Sequence, residues 1–185
     1  IALVGVYFAY VHEPKEEVVV ETEVVKKETI ISYDEIIDSK NDPIHASFQN
    51  VSLDNGITYI FNETLSVENI TEEYFKNIPS VLERNLSSKY MAGVVSSNST
   101  HSPFIILNSS YKFVLPGMQL WEQSLSSDLS SLFSITDLTR ETYLDIPHPE
   151  HIIRTNELVT YAITKNGELI ISNEPATILK VLEEL

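Results

Sequence analysis

The chain has 185 residues, 43% of them hydrophobic, and carries 27 acidic against 12 basic side chains for a formal charge of -15. That length fits one domain with an extension or two very small domains, and the apolar share is that of a globular chain rather than a disordered one. The acidity excludes a nucleic-acid surface and disfavours anionic lipid, since both need clustered Lys and Arg. With no cysteine there is no thiol, iron–sulfur or cysteine–zinc chemistry, and five glycines leave no material for a phosphate loop.

Residues 1–11, Ile1-Ala-Leu-Val-Gly-Val-Tyr-Phe-Ala-Tyr-Val11, carry no charge. A spanning helix needs about 20 apolar residues. The favoured expectation is the outer end of a truncated membrane anchor, with everything after it on the extracytoplasmic side. A buried or exchanged strand and an apolar helix end packed on the domain are the two alternatives. Ile, Val, Tyr and Phe suit the strand.

Residues 12–43 read as a stalk. Val18-Val19, Val24-Val25, Ile30-Ile31 and Ile36-Ile37 recur every six residues. Six is a multiple of the strand period, whereas on a helix it scatters positions around the axis, so extended structure is expected for about 18–31. Ser32-Tyr33-Asp34-Glu35 reads as a capping box for a short helix over 33–39, which stops near Asp42-Pro43.

The folded domain is expected over 44–185, with α+β architecture: an antiparallel or mixed sheet of two hairpin–helix units and two middle strands, covered by three or four helices. His45 to Leu53 reads as a strand, Asp54-Asn55-Gly56 as a hairpin turn and Ile57–Phe61 as its return. A helix over 67–77 would bury Ile70, Tyr74 and Ile78. A second, opened by Pro79 with Ser80 and Glu83 as a capping box, would bury Val81, Leu82 and Leu86. Tyr90–Val95 reads as a strand, Ser96–Pro103 as a polar loop and Phe104–Leu107 as a buried central strand.

After Leu115-Pro116-Gly117 the spacing predicts the best helix. Met118, Trp121, Leu125, Leu129 and Leu132 form its apolar stripe, with Glu122, Ser124, Ser127, Asp128 and Ser131 opposite. Asp145–His151, with two prolines, reads as irregular. Leu158–Thr164 and Glu168–Ser172 form a hairpin around Lys165-Asn166-Gly167. Pro175 then opens a terminal helix burying Ile178, Leu182 and Leu185. Asn55–Glu63 can be laid over Asn166–Glu174 without gaps, which suggests a duplicated strand–turn–strand–helix unit or the shared needs of hairpins and helix starts.

Pro103–Leu107, Tyr111, Phe113-Val-Leu-Pro-Gly-Met-Gln-Leu-Trp-Glu122, Asp128-Leu-Ser-Ser-Leu-Phe133 and Tyr161–Asn173 are similar to a pattern of the form FxGMLxWExxMxxDLxxLF. This resembles a family of membrane-anchored proteins from candidate-phylum bacteria with reduced genomes. The resemblance covers roughly residues 85–185. It implies one N-terminal anchor, an extracytoplasmic α+β domain and no assigned activity. Leu115-Pro116 stands where the pattern has a small residue before Gly117.

Chemistry is sparsely signalled. His148, Glu150 and His151, with Asp145 nearby, offer nitrogen and oxygen donors of the kind zinc takes, but not the helical His spacing of a zinc protease. No serine sits in a nucleophile elbow, although a triad is defined by geometry and not by order. Six sequons begin at Asn50, Asn62, Asn69, Asn85, Asn98 and Asn108 and would be glycan sites in a eukaryotic or archaeal exterior. The expected role is a membrane-tethered interaction or structural subunit without enzymatic activity or cofactor, engaging a protein partner or itself. The alternatives are an extracytoplasmic ligand-binding or sensor domain, or a subunit of a surface assembly joined through its N-terminal arm.

Overall fold

The computed structural model describes residues 31–32, 44, 48–49, 51, 55–61, 66–98, 100–136, 138 and 142–185. The apolar opening, the doublets before Ile30, the helix expected over 33–39, most of the strand expected over 45–53, and Asn50 and Asn62 lie outside the described residues.

Among the described residues, eight strands form one sheet: β1 (Ile31–Ser32), β2 (Gly56–Phe61), β3 (Leu86–Ser97), β4 (Thr100–Ser109), β5 (Leu144–Ile146), β6 (Ile152–Thr155), β7 (Thr160–Ile163) and β8 (Glu168–Ser172), in the spatial order β1-β2-β3-β4-β8-β7-β6-β5. β1 pairs with β2 in parallel, and the other seven strands are antiparallel. Among the described residues, five helices with complete bounds accompany them: α1 (Val67–Glu73), α2 (Ser80–Glu83), α3 (Tyr111–Trp121), α4 (Leu125–Asp128) and α5 (Pro175–Leu182). The fold is α+β, as expected.

Alternation along the strands divides the apolar residues between two faces. One set (Ile60, Ala92, Val94, Ile105, Leu107, Tyr161, Ile163, Leu169 and Ile171) packs with Ile70, Phe75, Leu82, Met118, Trp121, Leu125 and Leu129 from α1 to α4 and their connections. The other set, with Phe104, Ile106, Ile153, Ala162 and Ile170, is covered by Ile178 and Val181 of α5. The continuous apolar run of β4 follows from this, because Phe104 to Leu107 alternate between two buried faces and all four are fully enclosed. Gly93 of β3 sits between Tyr59 and Phe104, whose rings meet edge to face at 5.8 Å. A methyl at Gly93 would run into the Phe104 ring and the Thr58 carbonyl, so only glycine lets these strands close.

Several expectations are corrected. Ile44, Phe48 and Gln49 are helical, and β2 pairs with β1 and β3, so the first hairpin does not form. The reason is visible in the spacing: Ile44, Phe48 and Val51, all buried, stand at i, i+4 and i+7, the repeat of a helix face. Without that hairpin, no duplicated strand–turn–strand–helix unit is present among the described residues. The expected polar loop over 96–103 is instead the close of the β3–β4 hairpin, turned at Asn98 with φ 46°. There Asn tolerates the left-handed conformation. β6 was not foreseen, and Leu144–Ile146 is a strand, although 147–151 is irregular as expected.

α3 begins at Tyr111, ahead of Pro116, and ends at Trp121; a break precedes α4, so the stripe lies on two short helices. All five stripe residues are nonetheless buried. The helix expected over 67–77 ends at Glu73, although Ile70 and Tyr74 are buried as foreseen. Pro79, without a side-chain cap bond, stands at the N-cap of α2 where a capping box was expected. The Lys165–Gly167 hairpin and the Pro175 start of α5 form as expected, whereas Leu185 is exposed.

Candidate functional site

The densest polar cluster crosses the β7–β6–β5 end of the sheet. Tyr161, Arg154 and Asp145 stand directly opposite one another on successive strands, so their side chains share the face that packs against α1 to α4. Glu122, the C-cap residue just past α3, reaches down onto this ladder. Its Oε1 accepts the Tyr161 hydroxyl at 2.6 Å and an Arg154 N–H. Arg154 also donates through Nε to Asp145 Oδ1 at 2.8 Å and through its other terminal nitrogen to the Tyr143 carbonyl at 3.2 Å.

Burial grades along the ladder. Tyr161 is fully enclosed, the Arg154 and Glu122 side chains are 18% and 16% exposed, and Asp145 is 80% exposed. The guanidinium therefore spans from core to solvent, with a carboxylate on each side. Burial alone would weaken its charge, but Tyr161, Glu122 and Asp145 together outweigh burial and hold its proton more firmly. The Tyr161 phenol is pushed well up, first by burial and then by the Glu122 carboxylate it bonds and faces. The Tyr143 ring leans on Tyr161 at 5.8 Å, and its enclosed hydroxyl is also pushed up, mainly by burial, against the influence of Ser126.

A second cluster begins one residue earlier. Trp121 Nε1 donates to Asp128 Oδ2 at 2.8 Å, and Asn77 donates to the same carboxylate through its backbone N–H at 3.0 Å and its side-chain amide at 2.6 Å. Asp128 is only 7% exposed. It was expected on the solvated face and is instead an interior acceptor, because three N–H groups replace the water it gives up. It ties α4 to α3 and to the chain between α1 and α2.

Two smaller arrangements complete the inventory. Ser96 and His101 face each other across the β3–β4 hairpin, with the hydroxyl 2.8 Å from Nδ1. A serine–imidazole contact is the first half of a catalytic triad. Here Ser96 is fully buried, and among the described residues no carboxylate bonds the ring, so the pair pins the hairpin. In the β5–β6 loop, the rings of His148 and His151 stack at 4.8 Å with planes 24° apart. Lone pairs lie in the ring plane, so two nearly parallel stacked rings do not aim at one ion. Glu150 turns to Lys165 at 3.7 Å, and among the described residues no three His, Asp or Glu side chains gather as a metal site.

Of the described sequons, Asn69, Asn98 and Asn108 are exposed, whereas the Asn85 amide donates to the Val81 carbonyl at 2.8 Å. Sequence reasoning did not single out Arg154 or Tyr161. Their signal lay in the strand register, which an isolated sequence does not display. No helix among the described residues is long and apolar enough to cross a membrane. A comparison with family models, curated proteins and solved structures finds no match to this chain.

Proposed function

We propose that the chain is an interaction or structural module that works outside the membrane, tethered through residues 1–11 and joined to its surroundings through the N-terminal arm. The observation that carries this reading is the register of β1. The arm's last described residues run extended and enter the sheet edge in parallel, Ile31 beside Ile60 and Ser32 beside Phe61. Extended arms that complete a neighbour's sheet use the same backbone pairing. The chemistry of the ladder agrees with a structural role, since Glu122, Arg154, Asp145 and Tyr161 are spent on one another.

Two measurements test the proposal. In cells making the full-length chain, the protein should sediment with membranes through alkaline extraction and be cleaved by protease added from outside. Recovery in the soluble fraction would remove the tether. Because the chain has no cysteine, Ile31→Cys with Ile60→Cys places a single thiol pair across the β1–β2 register. Intrachain bonds mean that the arm completes its own sheet, and interchain bonds mean that it is exchanged between copies. If neither forms, the arm does not use this edge.

A further inference from the structure

The loop Pro147-His148-Pro149-Glu150-His151 joins edge strand β5 to β6. Its two prolines have no N–H to offer, and its closure centres on one imidazole nitrogen. His148 Nδ1 accepts the backbone N–H of Glu150 at 3.3 Å and that of His151 at 3.2 Å. Accepting both requires the neutral ring with its proton on Nε2. The His151 ring lies stacked on it, and its own Nδ1 is enclosed without a hydrogen-bond partner. β5 is otherwise held by three residue pairs with β6, the exposed Asp145–Arg154 contact, the packing of Ile146 on the α5 side and the buried Tyr143 that precedes it.

We propose that the stacked His148–His151 pair is an acid-released latch that keeps β5 in the sheet. A proton on His148 Nδ1 turns the acceptor into a donor that faces two donors. Charging both rings sets like charges face to face. The charged groups around the pair are Glu150 in the same loop, Lys165 from the β7–β8 turn and Glu168 from β8. Glu150 is shared with Lys165, and Glu168 accepts the Thr164 hydroxyl at 2.9 Å, so both carboxylates have other partners.

The His151 imidazole is held below its ordinary value by burial, then by the His148 ring and Lys165, against the pull of Glu150 and Glu168. The closed loop thus binds protons less well than the open one. The stability it contributes is intact above the ordinary imidazole range and is lost as pH falls through that range.

The test is amide hydrogen exchange by NMR on the whole chain at pH 7.5 and 5.5, an interval above the ordinary carboxylate range. After correction for intrinsic exchange, protection of the Glu150 and His151 amides should fall by up to about tenfold on acidification, with β5 loosening alongside. His148→Asn keeps an acceptor oxygen near the place of Nδ1 without titrating, and its protection should not change with pH. His148→Ala should be unprotected at both pH values. Flat protection in the parent chain, or an equal fall in His148→Asn, overturns the proposal. As a check independent of any variant, the chemical shifts of the His148 ring nitrogens report whether the ring is charged, and protection should fall only where it is. Charging without loss of protection overturns it too.

Discussion

Trp121 and Glu122 are neighbours in sequence, yet each anchors a different polar cluster, and the two clusters solve burial in opposite ways. Trp121 leads to Asp128, where a carboxylate deep in the helix layer is met by N–H groups that carry no charge. Glu122 leads to Arg154, where opposite charges meet at the sheet and shade out into solvent at Asp145. A carboxylate satisfied by neutral donors depends on all of them at once, because interior groups have no water to fall back on. An ion pair near the surface keeps water as a substitute and tolerates damage better.

The largest effect expected of a substitution in these clusters comes from Asp128→Ala. It leaves the enclosed Trp121 N–H without an acceptor and cuts three hydrogen bonds, which should cost about 3–4 kcal/mol. A urea titration followed by fluorescence reads this directly, since Trp121 is the only tryptophan. A loss below about 1 kcal/mol would mean that water reaches the cluster. Next comes Arg154→Met, which strands Glu122 with Tyr161 as its remaining described partner. Its expected cost is about 2–3 kcal/mol, reduced by the partial exposure of both side chains. If Arg154→Met proves costlier than Asp128→Ala, the contrast between the clusters is wrong.

Alkaline pH sharpens the comparison, because it strikes the ladder and not Asp128. Folding holds the protons of Tyr161 and Tyr143, whereas an unfolded chain releases them near pH 10. The unfolded state then binds fewer protons, so stability declines as pH rises above about 10. Ultraviolet titration should show these phenols ionising only with unfolding, and Glu122→Gln should bring the Tyr161 step to lower pH by removing a facing negative charge. The smallest effect belongs to Asp145→Asn, below about 0.5 kcal/mol, since an exposed partner is readily replaced by water.

The apolar framework of this protein was largely legible in its sequence, and its polar contacts were not. Ile70 with Tyr74 and the stripe from Met118 to Leu132 were found from periodicity, and Phe104–Leu107 from its unbroken apolar run, because burial on one face leaves a repeat and burial on both leaves a run. Misreadings arose where a weaker signal competed. Asn55-Gly56 suggested a hairpin and masked the helical spacing of Ile44, Phe48 and Val51. At 100° per residue, Glu122 and Asp128 lie about 60° from the middle of the stripe, so they flank it and do not oppose it. Reading them as solvated overlooked that a flanking carboxylate points at the neighbouring layer. The Tyr161–Arg154–Asp145 ladder joins three strands whose pairing is set by tertiary contacts, and nothing local in the sequence marks it.

The two-residue β1 also has a mechanical meaning. Among the described residues it meets β2 through two residue pairs, whereas β2 meets β3 through five. Tension applied to the N-terminal arm reaches the sheet first through this short described ladder. In a single-molecule pulling experiment on the parent chain, a small first yield should therefore precede the main rupture, and the Ile31→Cys, Ile60→Cys crosslink should abolish it. β1 would then be a fuse, letting the arm lengthen under load while the rest of the sheet stays whole.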